Sequence, residues 1–346
     1  QAALVSLDPQ DGSIEALAGG FSFGQSKYNR AIQAKRQPGS SFKPFVYSAA
    51  LDAGYTAATL VNDSPIVFVE EGMDRVWRPK NDNNTFLGPI RMREALYKSR
   101  NLVSIRLLQA IGIDYALDYI TRFGFKREDL PRNLSLALGT ATLTPMEIAT
   151  GWTVFANGGY RVNPWLISQV SEQRGKVLVQ TQPPVPDESV RAIDARNAFV
   201  MTSLLQEVTR SGTAARAQAT LKRNDIYGKT GTTNDSMDAW FAGYHPTLAA
   251  VTWIGYDTPR KLGDRETGGG LSLPVWIQFV QQALKGVPVT QMAAPEGTAF
   301  VGGEWYYKEY IRDAGVVSLG LGGGKEGTRD MPPQDEKKRI LDLFRN

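Results

Sequence analysis

Pro38-Gly39-Ser40-Ser41-Phe42-Lys43-Pro44-Phe45-Val46-Tyr47-Ser48-Ala49-Ala50-Leu51 is where this sequence changes period. Its alanines and leucine favour helix. Pro44 is tolerated only in a first turn, so the spacing predicts a helix that starts close to Ser40 and stops at Gly54. Upstream, the strand-like runs Ala2 to Leu7 and Ser13 to Ala18 flank Asp8-Pro9-Gln10-Asp11-Gly12, a hairpin signal with Gly12 suited to positive φ.

Downstream, residues 55–90 are rich in Asn, Asp, Pro and Gly and read as loops with short strands. Helical patterns follow at Ile90 to Lys98, Asn101 to Ala110, Tyr115 to Phe123 and Pro145 to Ala156, the last capped by Thr144 and stopped by Asn157-Gly158-Gly159. Trp165 to Val170 and Lys176 to Val179 read as a second hairpin, Pro183-Pro184-Val185-Pro186 as a linker, Asp194 to Thr209 as a long helix and Thr213 to Ala217 as a short one. The period then returns to two. Asp238 to Tyr244 and Leu248 to Gly255 predict an antiparallel pair joined at His245-Pro246, and Leu273 to Leu284 a helix covering one sheet face. Strands grouped at both ends around a block of helices predict an α+β fold, a central antiparallel sheet flanked by helices with an all-helical subregion. Residues 1–290 form the expected main domain. Residues 291–346 read as an extension packed on it, with alternation at Trp305 to Tyr310 and a flexible or tight-turn connection at Gly320-Leu321-Gly322-Gly323-Gly324.

Composition narrows the chemistry. Of 346 residues, 42% are apolar and 21% charged, as in ordinary folded domains. The net charge of +4 is scattered without a dense basic block, which argues against a nucleic-acid partner. With no cysteine and a single histidine, disulfides, a Cys nucleophile and a Cys/His metal site are excluded. His245 itself reads as a turn residue, so a Ser-His-Asp triad has no base. The glycine-rich stretch lacks the Gly-Lys-Ser/Thr ending of a phosphate loop, and neither metal nor cofactor is expected. No run reaches the roughly 18–20 apolar residues that cross a bilayer, and the opening at Gln1 reads as that of a fragment.

Three short motifs carry chemistry. Ser40 and Lys43 stand three apart on one helical face, so an amine can reach the hydroxyl it must deprotonate, and the helix N-terminus favours a developing oxyanion. Lysine is a base only when neutral, against an ordinary pKa of about 10.4. A second cation, Lys229, together with desolvation, is expected to depress Lys43. Ser99 of Ser99-Arg100-Asn101 supplies a hydroxyl that can relay a proton, and Asn101 an amide that can orient Lys43 and hold a substrate backbone group. In Lys229-Thr230-Gly231-Thr232, the bare Gly231 would let a ligand backbone lie alongside as an added strand. Lys229 and the hydroxyls of Thr230 and Thr232 suit a substrate carboxylate, and the backbone N–H groups of Ser40 and Thr232 would form an oxyanion hole.

Together these motifs resemble those of penicillin-binding proteins and serine β-lactamases. The contexts Arg36-Gln37-Pro38-Gly39-Ser40, Lys229-Thr230-Gly231-Thr232-Thr233-Asn234-Asp235 and Asp238-Ala239-Trp240-Phe241-Ala242-Gly243-Tyr244 are similar to the transpeptidase domain of class A penicillin-binding proteins, most of all the Gram-negative type 1a subgroup. Ser135-Leu136-Ala137-Leu138-Gly139, Phe155-Ala156-Asn157-Gly158-Gly159-Tyr160 and Gly268-Gly269-Gly270 extend the likeness to roughly residues 1–290. The resemblance implies a peptidoglycan D,D-transpeptidase with Ser40 as nucleophile, Lys43, Ser99, Asn101 and Lys229 as catalytic partners, and Thr230, Gly231, Thr232 and Thr233 against substrate. It implies stem peptides and β-lactams as ligands, cell-wall synthesis proteins as partners, and an upstream glycosyltransferase domain and membrane helix at the periplasmic face of the inner membrane. Two rivals share the motifs: a serine β-lactamase, whose deacylating Glu-x-x-Leu-Asn loop is not matched by Glu128-Asp129-Leu130-Pro131-Arg132-Asn133, and a catalytically silent sensor of wall peptides.

Overall fold

The computed structural model describes residues 1–69, 76–264, 266–312 and 314–321. In chain order, β1 (Ala2–Leu7) and β2 (Ile14–Ala18) precede α1 (Arg30–Gln33) and a 3₁₀ turn at Gly39–Phe42 that runs directly into α2 (Lys43–Asp52). Then come β3 (Tyr55–Asp63), β4 (Phe68–Val69), β5 (Val76–Trp77) and β6 (Gly88–Arg91), followed by α3 (Met92–Tyr97), α4 (Asn101–Ile111), α5 (Ile113–Thr121) and α6 (Pro145–Ala156). After the hairpin β7 (Gln169–Ser171) and β8 (Val177–Gln180) lie α7 (Ala195–Arg210) and α8 (Arg216–Leu221). The chain continues with β9 (Tyr227–Thr232), β10 (Asp238–His245), β11 (Leu248–Gly255), α9 (Leu273–Ala283), β12 (Thr298–Val301), β13 (Glu304–Tyr307) and β14 (Val316–Leu319).

The central sheet has five antiparallel strands in the order β2-β1-β11-β10-β9, so the first and last thirds of the chain build one layer and β9 forms its edge. Strand alternation splits β10 between two helical layers. Phe241 meets Trp276 of α9 edge to face at 4.9 Å, whereas Tyr244 faces Trp152 of α6 and bonds Thr202 of α7. The expected α+β architecture is the one observed.

α2 is the central helix, apolar nearly all round and buried from Lys43 to Leu51, as a helix surrounded by protein must be. Phe45 is its anchor, with Phe123 and Phe125 at 5.0 and 4.9 Å, both edge-on. Truncating such a side chain to alanine costs about 3–5 kcal/mol. The helix that leads from the site therefore runs through the hydrophobic core.

Three expectations are corrected. Residues 55–63 form a nine-residue strand rather than a loop, because β3 is the middle strand between β6 and β14, and long-range pairing outweighs the turn-forming Asn62 and Asp63 at its end. The short helix lies at Arg216–Leu221, not at 213–217: the Thr213 N–H bonds Tyr97 O and so leaves helical geometry. His245 is not a turn residue. It ends β10 with 1% exposure, its Nδ1 accepts from the Thr247 N–H, and its Nε2 therefore carries the proton given to Asp225 at 3.0 Å.

Downstream of Pro288, Glu304 of β13 is gripped by Arg93 of α3, and Trp305 packs edge-on to Phe199 of α7. β14 pairs in parallel with β3. Of the expected glycine-rich connection, Gly322 to Gly324 lie outside the described residues. Among the described residues, no helix is long and apolar enough to cross a membrane.

Candidate active site

Ser40 lies half-buried in the 3₁₀ turn, three residues before the start of α2, whose first turn accommodates Pro44. Its backbone N–H makes no hydrogen bond among the described residues. The turn is fastened to the sheet from below. Arg36 pairs with Asp238 at 2.7 Å, Asp238 also accepts from Trp253 Nε1 at 2.9 Å, and Trp240 Nε1 donates to Gln37 O at 2.8 Å. The sequence contexts around residues 36 and 238 are thus two halves of one buried joint.

Gly231 is required, but not for the reason its sequence suggests. A Cβ there would overlap Pro38 O and press on the Ser41 side chain, so the bare position receives the nucleophile turn, not a ligand. Gly139 plays the same part opposite, where a Cβ would overlap Gly39 O and the Gly39 N–H bonds Gly139 O at 3.1 Å. Room for a ligand strand comes instead from the free edge of β9. The Thr233 N–H bonds Asp238 O, and with the Thr232–Ala239 register the antiparallel alternation turns the N–H and C=O of Thr230 and Thr232 away from β10, toward that edge.

Ser99 is the hub. It follows α3 at φ 57°, and the bonds Arg100 N–H to Ala95 O and Ser99 N–H to Leu96 O form a Schellman motif whose left-handed position usually holds glycine. Holding a serine there costs on the order of 1 kcal/mol. The Ser99 hydroxyl accepts from Lys43 Nζ at 3.2 Å and Lys229 Nζ at 2.9 Å, which leaves its own hydrogen free for a third group. Lys43 spends its other donors on Ser99 O at 2.8 Å and Asn101 Oδ1 at 2.7 Å; it does not bond the Ser40 hydroxyl. The Lys43–Ser40 contact foreseen from the spacing is thus replaced, in this protonation state, by acceptors that use all three ammonium hydrogens.

Both lysines are fully buried, and among the described residues neither touches a carboxylate. Burial pushes Lys43 down to about 7, with Asp82 and Asp63 opposing and Arg100 assisting. Burial also holds Lys229 well below its ordinary value, repulsion from Lys43 adding to it and Asp82 opposing. The expected order of causes is therefore revised: desolvation comes first for both, and the mutual repulsion bears on Lys229. The two amines share the Ser99 hydroxyl.

Several residues that the motifs did not reveal support this hub. Arg100 is buried against Asp63 at 2.8 Å and bonds Asn83 and Thr85. Asn81, also buried, donates to Asp63 and accepts from the N–H groups of Asn101 and Leu102, capping α4 from 20 residues away in sequence. The Asn101 amide donates to Lys80 O at 2.9 Å and Asp82 Oδ1 at 3.1 Å, so both its hydrogens are engaged within the protein. Thr230 Oγ1 meets Thr213 Oγ1 at 2.7 Å, and Thr232 Oγ1 accepts from the Gly268 N–H. Thr233 is turned inward, its hydroxyl accepting from the Asp238 N–H at 2.9 Å. Away from this cluster, Asp129 pairs with Lys35 and Glu128 is exposed.

A half-buried serine on a helical turn, two buried amines whose pKa values burial lowers, and an open sheet edge define the serine-nucleophile class of penicillin-recognising α+β folds. The family model for the penicillin binding protein transpeptidase domain matches residues 2–275, and the chain belongs to that family. Penicillin-binding protein 1A of Pseudomonas aeruginosa is 55% identical over an alignment of 343 positions, which covers 86% of this chain and 42% of that protein. The chain thus spans about two fifths of the curated relatives it matches. The crystal structure of penicillin-binding protein 1A from Haemophilus influenzae superposes with a TM-score of 0.84 at 36% identity, covering 88% of this chain and 53% of that one. The PonA1 protein of Mycobacterium tuberculosis, solved in complex with penicillin V, gives 0.73 at 26% identity, covering 89% and 83%.

Proposed function

We propose that this domain is a D,D-transpeptidase that crosslinks peptidoglycan through an acyl-enzyme on Ser40 and is blocked there by β-lactams. The observation that carries the reading is the Ser99 hydroxyl shared by two buried amines next to the Ser40 turn. Neutral Lys43 takes the Ser40 proton as Oγ bonds the penultimate D-alanine carbonyl of a stem peptide. The oxyanion rests on the Ser40 and Thr232 N–H groups. The C–N bond then breaks, and the proton passes from Lys43 through Ser99 to the departing D-alanine amine. In the second half an acceptor amine attacks the ester, its proton returns along the same path, and Ser40 leaves with its hydrogen restored. Thr230 with Thr213, and Thr232, hold the donor carboxylate; Gly231 and Thr233 keep the strand and its following turn in place.

In this reading the domain works on the periplasmic face of the inner membrane, as part of a longer chain with a membrane helix and a glycosyltransferase domain, among other cell-wall synthesis proteins. We read residues 291–321 as an extension of the same domain; the rest of the expected extension, 322–346, lies outside the described residues. The test is peptide mass spectrometry after incubation with a penicillin: one adduct at Ser40, persisting for hours, is expected. An adduct elsewhere would remove Ser40, and rapid loss by hydrolysis would make the protein a β-lactamase.

A further inference from the structure

Asp82 follows the buried Asn81 and is itself exposed. Its Oδ1 accepts from Asn101 Nδ2 at 3.1 Å, and the other end of the same amide accepts from Lys43 Nζ at 2.7 Å. One amide thus separates a solvent-facing carboxylate from the buried base. No cation pairs with Asp82 among the described residues. Its field reaches both site lysines and favours their protonated forms, against the deprotonation that acylation needs. Whatever Asp82 contributes therefore belongs to another step. The other charges near the two amines, Arg100 and Asp63, are buried and satisfied by one another, so Asp82 is the one of these groups that a solute can reach.

The second half-reaction brings in a cation. An aliphatic amine with an ordinary pKa of about 10.4 arrives as its ammonium. Before it can attack, it must give one proton to the Ser99–Lys43 relay, becoming a neutral nucleophile as Lys43 becomes charged. Attack then forms the amide N–C bond and breaks the Ser40 ester, Lys43 returning its proton to Ser40 Oγ and the second amine proton leaving through Ser99 to solvent. We propose that Asp82 is a specificity-determining residue for that acceptor, its carboxylate docking the incoming ammonium at the mouth of the cleft. This rests on the transpeptidase reading and adds the recognition of the acceptor's charge.

The test compares two acceptors on the acyl-enzyme: D-lysine, whose side chain is cationic, and hydroxylamine, which is uncharged at neutral pH. With Asp82→Asn, the KM for D-lysine should rise about two- to fivefold, the range of an exposed charge pair, and lose its salt dependence. The D-lysine KM should rise relative to the hydroxylamine KM, since whatever reaches Lys43 through Asn101 falls on both acceptors alike; Asp82→Glu should restore D-lysine, and Asp82→Lys should weaken it further. Equal shifts for both acceptors, or none, overturn the role of Asp82 and leave Ser40 chemistry standing. Failure of the unsubstituted protein to acylate at Ser40 overturns both.

Discussion

Arg30, Arg36 and Arg100 are buried, and so are Lys43 and Lys229, yet the two groups are treated in opposite ways. Each arginine reaches a carboxylate, Asp257, Asp238 and Asp63 in turn. The lysines meet only hydroxyl, carbonyl and amide oxygens. A guanidinium keeps its proton inside a protein, so it brings a counterion with it; an ammonium can be emptied by desolvation alone. Paired cations here tie the frame together, and unpaired ones become bases.

Exchanging the two kinds breaks that contrast most severely. Lys43→Arg places a permanent charge where a neutral amine is needed, and acylation by a penicillin should fall about 10²–10⁴-fold with the fold retained by circular dichroism. Unchanged labelling kinetics would end the base assignment. Removing one member of a paired cation acts on stability instead. Arg36→Met strands Asp238 in the interior and should cost about 3–5 kcal/mol in urea denaturation, a large loss because both side chains are under a tenth exposed.

Titration sharpens the comparison. Lys43 falls to about 7 and only its neutral form accepts a proton, so the acylation rate should climb through pH 7 and level off above it, losing about tenfold per unit on the acid side. A midpoint near the ordinary lysine value would put Lys43 with the paired cations. Ser99→Gly relaxes the left-handed turn by about 1 kcal/mol but takes an acceptor from two buried ammonium groups, at about 1–3 kcal/mol each, so stability should fall by a few kcal/mol while transfer collapses for want of a relay; a rise in melting temperature would contradict the hub. The smallest effect belongs to Lys98–Glu94, an i,i+4 pair at the surface, where Glu94→Gln should change stability by under about 0.5 kcal/mol.

Ser40, Lys43, Ser99 and Lys229 were legible because their chemistry is written in local spacing: three residues on a helix, a serine beside an asparagine, a lysine on a strand. Asp63, Asn81 and Asp82 were not, since each acts on a motif 19 to 37 residues away through bonds that only folding creates. Gly231 was noticed but misread, because a sequence says that a side chain is missing and not from which direction its space is filled. β3 was lost for a related reason, its partners β6 and β14 lying far along the chain. The α+β layout survived because β10, β11 and α9 carry their own periods, and those periods agree with where the elements pack.

The backbone-to-backbone contacts at Gly139 and Gly231 have an evolutionary consequence. They set the gap between the nucleophile turn and the sheet edge with main chain alone, and even one added methyl at either glycine overlaps a carbonyl oxygen. Substitution cannot tune that gap in small steps. A lineage under pressure to discriminate between two ligands would be confined to the rim, to positions such as Asp82 and Thr213 whose side chains still have somewhere to go.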